Sequence, residues 1–193
     1  FGAVAKAVLS PKDTNDIPGV TAEAVRLSTD GRPGPVVVQI PRDVSSMDTA
    51  SAIPAPAART PHEADAALVD KAVAMIDNAK APLVVAGEMI SNQNAADALT
   101  KFAAAAGLPV MSAYRRLDVM PNSHDCYAGH LEINRFENQL EAIDQSDLII
   151  AIGTRLDGIT SADETMFCTG KPLIHVYPEA DILARFESDV ALD

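Results

Sequence analysis

After residue 63, short apolar runs alternate regularly with helical segments, and this alternation constrains the fold more than any other feature. The helical segments have apolar residues at helical spacing; they read EADAALVDKAVAMIDNA, NQNAADALTKFAAAAG and FENQLEAIDQ. The apolar runs are continuous, as in strands buried on both faces of a sheet; they lie within APLVVAGEMI, LPVMSA, DLIIAIGTRLDG and GKPLIHVYPEA. Strands and helices at this spacing predict an α/β fold with a doubly wound parallel sheet and right-handed crossovers.

A partial α/β domain is predicted before this alternation. The segment IPGVTAEAVRLSTDG has helical spacing, and PVVVQI follows it as a buried strand that ends at Pro41. A parallel strand needs a neighbour, yet the first thirty residues predict only one helix and a turn. We therefore expect the partner strands to lie upstream of Phe1, or else this strand to pair with the edge of the downstream sheet.

A segment rich in small residues and proline separates the two regions. It has no apolar periodicity, which favours a linker that is semi-rigid where the prolines cluster. The alternative is a long surface loop within one domain, although loops beyond about 15 residues are uncommon in compact domains. The predicted organisation is a partial domain over 1–48, a linker over 49–62 and a Rossmann-like domain over 63–193.

The net charge limits the possible partners of the chain, and the spacing of its cysteines and histidines bears on disulfides and metal sites. A formal net charge of -12 disfavours nucleic acid and anionic membrane surfaces as partners. No apolar run approaches the roughly 18 residues of a membrane helix. Cys126 and Cys168 have no CxxC spacing and the four histidines have no metal-ligand spacing, so we expect reduced thiols, a cytoplasmic location and no metal site.

The loops after the strands are the candidate ligand-binding positions, because ligands of such sheets lie beyond the carboxyl ends of the strands. The loop at Gly87 lacks GxGxxG, so its glycine is more typical of a tight turn. In IGTRLDGIT, Gly153 would allow close approach and Arg155 could bind phosphate or carboxylate, while Asp157 could orient Arg155 or accept from a ribose hydroxyl. The alternative is a surface arginine paired with a neighbouring aspartate.

Polar residues are dense in AYRRLDVMPNSHDCYAGHLEI, which we interpret as loop-rich. The segment has tyrosine, arginine, histidine and cysteine side chains, but none stands in the order of a Ser-His-Asp or Cys-His nucleophile set. His124 and His130 are six positions apart in a non-helical region, which is poor spacing for a metal pair. We therefore assign no catalytic residue and no metal ligand from the residue pattern.

Two groups of motifs resemble one enzyme family. FGAVAKAV and GRPGPVVVQIPRDV resemble the closing segment of the pyrimidine-binding domain in thiamine-diphosphate enzymes of the acetolactate synthase type. Downstream, APLVVAGEMI, KFAAAAGLPVMSAYRR, HDCYAGHLEI and SDLIIAIGTRLDGITS are similar, in order and spacing, to the central domain of that family. The resemblance covers essentially the whole chain.

This resemblance implies a lyase, carboligase (transferase) or decarboxylase that acts on a 2-oxo acid as a homodimer or tetramer. Such enzymes bind thiamine diphosphate through Mg²⁺ between domains of two subunits. Their activating glutamate should lie upstream of Phe1 and their Gly-Asp-Gly motif downstream of Asp193, since STDG and RLDG lack the first glycine. The chain is thus expected to be a fragment with a structural role in assembly, inactive by itself.

The resemblance also raises the question of FAD, which acetohydroxyacid synthases hold in their central domain, partly through a Gly-x-Arg-x-Asp loop. GTRLD is similar to that loop, so this role would fall to Gly153, Arg155 and Asp157. Two departures argue against FAD: GEM at 87–89 replaces a glycine cluster, and the second arginine of the loop is missing at 158–159. A stand-alone FAD or ADP module remains the alternative, while a sirtuin-like deacylase would usually need four zinc-binding cysteines and the chain has two.

Overall fold

A computed structural model of the chain describes residues 2–55, 63–163, 165–167 and 170–193. The chain divides into two compact units, Phe1–Pro61 and His62–Asp193, which we call unit 1 and unit 2. Residues 49–55 of the predicted linker contain neither helix nor strand, and the remainder of that linker lies outside the described residues. No helix in the described ranges is long and apolar enough to cross a membrane.

Unit 1 contains a small parallel sheet and the predicted helix. Its elements are β1 (Ala7–Leu9), a 3₁₀ turn (Thr14–Asp16), α1 (Ile17–Thr29), β2 (Val36–Val38) and α2 (Arg42–Ser45). Helix α1 begins where expected, with Pro18 in its first turn. Strand β2 is shorter than PVVVQI because its ladder with β1 covers only the three valines.

The expectation that the first thirty residues offer β2 no partner is wrong. Strand β1 pairs with β2 in parallel, with Ala7 opposite Val36 and Leu9 opposite Val38. Among the described residues these two strands form their own sheet, so β2 does not pair with the edge of the downstream sheet either. Strand β1 escaped prediction because three apolar residues between Lys6 and Ser10 are too few to show a periodicity.

Unit 2 is the predicted doubly wound domain. Its strands are β3 (Pro82–Ala86), β4 (Val110–Ser112), β5 (Tyr127–His130), β6 (Leu148–Ile152), β7 (Leu173–Val176) and β8 (Val190–Leu192). Its helices are α3 (Ala66–Asn78), α4 (Glu88–Asn92), α5 (Ala96–Ala106), α6 (Glu137–Gln145), α7 (Gly158–Ser161) and α8 (Ala180–Leu183). All strand pairs are parallel in the order β5-β4-β3-β6-β7-β8, which confirms the predicted fold class.

The sheet buries both faces, as the continuous apolar runs predict. Alternate residues of the central strands, such as Val84 and Ile150, contact the helices α3 and α5 on one face. Their neighbours Val85 and Ile149 lie in a second cluster on the other face, which includes Ile143 of α6. Each of these four strand residues is at most 1% exposed, so the core consists of two apolar layers separated by the sheet.

The structure adds two edge strands and the three short helices α4, α7 and α8, which the sequence did not indicate. Strand β5 lies within the segment interpreted as loop-rich; its sequence YAGH has no β-branched residue, and Gly129 adopts a positive φ of 98°. Strand β8 is only three residues long. Helix α4 follows Gly87 directly, where we expected a glycine turn.

Candidate functional site

The candidate site lies where β3 and β6 meet. The chain continues from β3 to one side of the sheet and from β6 to the other, so their carboxyl ends form the topological switch point, where open α/β sheets bind ligands. Gly87 follows β3 and Gly153 follows β6, and the segment GTRLD begins at the second of these. The structure thus brings together the two glycine loops that are 66 positions apart in sequence.

The two glycine loops interlock at this point. The Gly87 amide donates to the Ile152 carbonyl at 2.9 Å, and the Met89 amide donates to the Gly153 carbonyl at 3.0 Å. A Cβ on Gly87 would lie 2.5 Å from both the Gly153 oxygen and the Thr154 Cα. Gly153 has a φ of 65°, and a Cβ there would lie 2.9 Å from the Met89 Cβ. Both glycines are therefore required by direct contact between the loops.

Glu88 lies at the start of α4 and is buried, with 8% of the residue exposed. Its Oε1 accepts a hydrogen bond of 2.9 Å from the hydroxyl of Tyr177, which is 1% exposed. The Nε of Arg155 lies 3.0 Å from the same oxygen, but its N–H is not aligned for a hydrogen bond, so this contact is an ion pair. The expected alternative of Arg155 paired with a neighbouring aspartate is not what the geometry shows.

Asp157 caps the short helix α7. Its Oδ1 accepts hydrogen bonds from the backbone amides of Ile159 and Thr160, each at 3.1 Å. The Thr160 hydroxyl donates to Oδ2 at 3.3 Å. The carboxylate therefore satisfies the first amides of α7, as an N-cap does, and both of its oxygens are engaged there.

His175 is a buried polar residue of this region that the sequence did not single out. Its Nε2 lies 2.9 Å from the Thr154 carbonyl, and the residue is 0% exposed. Its ring meets that of Phe186 edge-on, with 5.4 Å between centroids. Burial lowers the pKa of His175 below its usual 6.5, and the hydrogen bond to Thr154 opposes this only in part. A lone histidine inside the apolar run LIHV was the available signal.

The polar segment 114–130 does not join this site as a catalytic set. The Tyr114 amide donates to the Thr160 hydroxyl at 3.2 Å, and the Cys126 amide donates to Nδ1 of His124 at 3.1 Å. His130 pairs with Glu132 at 2.7 Å. Within the part of the chain that the structure describes, no group of three potential metal ligands comes together; Cys168 lies outside it.

Comparison with known proteins identifies the family. The family model described as "Thiamine pyrophosphate enzyme, central domain" matches residues 69–192. The acetolactate synthase large subunit of Corynebacterium glutamicum is 35% identical over 168 residues, which are 83% of this chain and 26% of that protein. Acetolactate synthase isozyme 1 large subunit of Escherichia coli is 30% identical over 165 residues, which are 83% of this chain and 29% of that protein.

A solved structure shows the same fold. It is described as that of a thiamin diphosphate-dependent enzyme from Mycobacterium smegmatis; its TM-score is 0.77 at 22% identity, and the match covers 97% of this chain and 36% of that one. The chain spans less than a third of the length of these curated relatives. With a family match over most of its residues, the chain belongs to the thiamine pyrophosphate enzymes, and residues 69–192 are their central domain.

Proposed function

We propose that the chain is the middle portion of a thiamine-diphosphate-dependent lyase, carboligase or decarboxylase of the acetolactate synthase type that acts on a 2-oxo acid. The observation that carries this proposal is the 35% identity to the C. glutamicum large subunit, whose alignment takes in 83% of this chain. The alignment covers 83% of the chain, which is more than residues 69–192 matched by the central-domain model. The similarity to this relative therefore extends into residues before 69. A stand-alone nucleotide-binding module receives no support from the relatives.

The proposed organisation follows the sequence expectations. Residues 1–48 would be the closing piece of a pyrimidine-binding domain, 49–62 a linker and 63–193 the central domain. The two-stranded sheet of unit 1 supports the first assignment, because so small a sheet does not usually form a stable domain by itself. We further propose that the whole enzyme is a cytoplasmic homodimer or tetramer.

Thiamine diphosphate would supply a nucleophilic carbanion that attacks the 2-oxo group of the substrate. Among the described residues, no three histidine, cysteine, aspartate or glutamate side chains come together as potential metal ligands. The role that this chain's residues support is structural. Its buried sheet holds the loops at the switch point in one arrangement through contacts within the chain itself.

FAD fits the switch point poorly. Arg155 pairs with Glu88 and Asp157 caps α7, so the two polar side chains suited to a nucleotide are engaged internally. The backbone amides of Gly87 and Met89 donate to the carbonyls of Ile152, at the end of β6, and of Gly153. We therefore propose an enzyme without FAD at this site.

The test begins with the complete polypeptide of which this sequence is part. Its intact mass should exceed that of the 193 residues, and the purified protein should form acetolactate from pyruvate only when thiamine diphosphate and Mg²⁺ are both present. The matched control is the 193-residue chain under the same conditions, which should be inactive. A native protein ending at residue 193 without a partner chain, or turnover by the short chain alone, would contradict the proposal.

A further inference from the structure

We propose that Glu88 is a built-in anion at the switch point, which neutralises Arg155 and excludes phosphate-bearing nucleotides from the crevice between β3 and β6. The proposal concerns this domain's ligand selectivity and depends on the fold of unit 2. It does not depend on which 2-oxo acid the complete enzyme uses.

Two backbone donors at the switch point are already used within the chain. Diphosphates at a switch point are held by free backbone amides at the start of the helix that follows the first strand. Here the amide of Gly87 donates to Ile152 and that of Met89 donates to Gly153. These two amides satisfy carbonyls at the end of β6 and just after it, so neither is presented to a ligand.

Arg155 is the side-chain cation at the switch point. A guanidinium is well suited to bind phosphate through paired N–H groups. The side chain of Arg155 is 34% exposed, but its Nε lies 3.0 Å from the Glu88 carboxylate, whose side chain is 11% exposed. The cation already has a buried counter-ion, which reduces the net positive charge that it presents to an incoming phosphate.

The Glu88 carboxylate is also fixed in position. The Tyr177 hydroxyl donates to Glu88 from the end of β7, so the carboxylate is held between the loops after β3, β6 and β7. A diphosphate placed at the start of α4 would face this fixed negative charge in a setting where water screens poorly. Electrostatic repulsion by Glu88 and the close contact between the glycine loops therefore both disfavour the binding of a diphosphate at this position.

Calorimetric titration with pyrophosphate, ADP and FAD tests the proposal on the 193-residue chain and on the complete polypeptide, the latter saturated with thiamine diphosphate and Mg²⁺ so that its own diphosphate site is occupied. The wild-type protein and the control Glu141→Gln, which loses an exposed charge on α6, should show no saturable binding up to about 1 mM. Glu88→Gln should bind pyrophosphate or ADP at least about tenfold more tightly than wild type. The double variant Glu88→Gln/Arg155→Met should lose that binding.

Two results would overturn the proposal. One is saturable wild-type binding of any probe that Arg155→Met abolishes, because the site would then accept anions in the presence of Glu88. The other is a folded Glu88→Gln variant that binds no better than wild type. Circular dichroism verifies folding, and Glu88→Met, which fills a similar volume without charge, replaces Glu88→Gln if the latter unfolds. The titrations report on the crevice alone, so their outcome is separate from that of the acetolactate assay.

Discussion

Unit 1 and unit 2 both place valines in parallel strands, but only unit 2 encloses them. In β2 the valines 36–38 are half-buried, in a sheet of two three-residue strands. In β3 Val84 and Val85 are 0% exposed, in the middle of a six-stranded sheet. The same residue type therefore reaches different burial because of the number of neighbouring strands, a property that no short window of sequence contains.

The comparison predicts that the units differ in their ability to fold separately, and this is the largest expected effect. Residues 63–193 alone should melt cooperatively, whereas residues 1–55 alone should show no cooperative transition, because two short strands cannot bury enough apolar surface. Circular dichroism of the two segments against the whole chain measures this. A cooperative melt of residues 1–55 would contradict the prediction that unit 1 cannot fold by itself.

The interlocked glycines of unit 2 should be its most sensitive backbone positions. Gly153→Ala should cost about 3 kcal/mol of unfolding free energy, since it adds a clash with Met89 to the strain of a positive φ. Gly107→Ala is the matched control: its φ is 64°, but nothing lies within 4 Å of an added Cβ, so about 1 kcal/mol is expected. Urea unfolding measures the loss of stability in both variants. Equal losses would show that the contact between the two glycine loops does not add to the cost of Gly153→Ala.

Matched valine substitutions test the difference in burial directly. Val85→Ala should destabilise unit 2 by about 2 kcal/mol, because it removes two methyl groups from a closed core and leaves a cavity. Val37→Ala, in the half-buried strand β2, should cost less than about 1 kcal/mol. Hydrogen exchange of the amides in each sheet reports the two effects separately. Similar losses at both sites would mean that unit 1 has a closed core.

Acid should weaken unit 2 through His175. Because burial lowers the folded-state pKa below the ordinary 6.5, the unfolded chain binds more protons as the pH falls past that value. The stabilising contribution is complete above about pH 6.5 and is lost progressively at lower pH. Thermal melts from pH 7.5 downward should show a shallower decline for His175→Gln than for wild type.

The matched control for this effect is Val85→Ala, which lowers the stability of unit 2 without removing a titratable group. It should decline with pH as the wild type does. An identical pH profile for wild type and His175→Gln would show that the buried ring does not contribute to acid sensitivity.

The smallest effect is expected on the surface of unit 1. In α1, Arg26 pairs with Glu23 at 2.7 Å and with Asp30 at 3.1 Å, and all three side chains are at least 45% exposed. The arginine lowers the pKa of Glu23 through their hydrogen bond. Solvent screens such pairs, so Glu23→Gln should leave the melting temperature unchanged at physiological salt. A clear loss would indicate that α1 depends on this pair.

The fold of unit 2 was predictable because its central strands carry a strong local signal. Runs such as PLVVA and LIIAI are long, apolar and bounded by turns, so their type and order follow from the residues. The edge strands β1, β5 and β8 are three or four residues long, and their pairing depends on strands that are remote in sequence. These three strands could therefore be identified only from the tertiary structure.

The candidate site, like the fold, was predicted from the sequence only in part. The rule for parallel sheets placed Gly87 and Gly153 at the strand ends, where the structure has them. The sequence suggested Asp157 as a neighbour for Arg155, whereas the actual partner, Glu88, comes from another strand loop. The strand order determines which charged side chains become neighbours. The local spacing of residues in the sequence does not contain that information.

The strand order also has a consequence for the kinetics of folding. Strands β3, β4 and β5 form one half of the sheet and β6, β7 and β8 the other, each joined by connections between neighbours in the chain. The halves meet only where β3 pairs with β6, from Pro82 opposite Leu148 to Ala86 opposite Ile152. Because closing this long loop costs the most chain entropy, we expect the pairing of β3 with β6 to be the slowest step of sheet assembly. Substitutions along β3 and β6 should therefore slow refolding, whereas those at the outer strands should mainly accelerate unfolding.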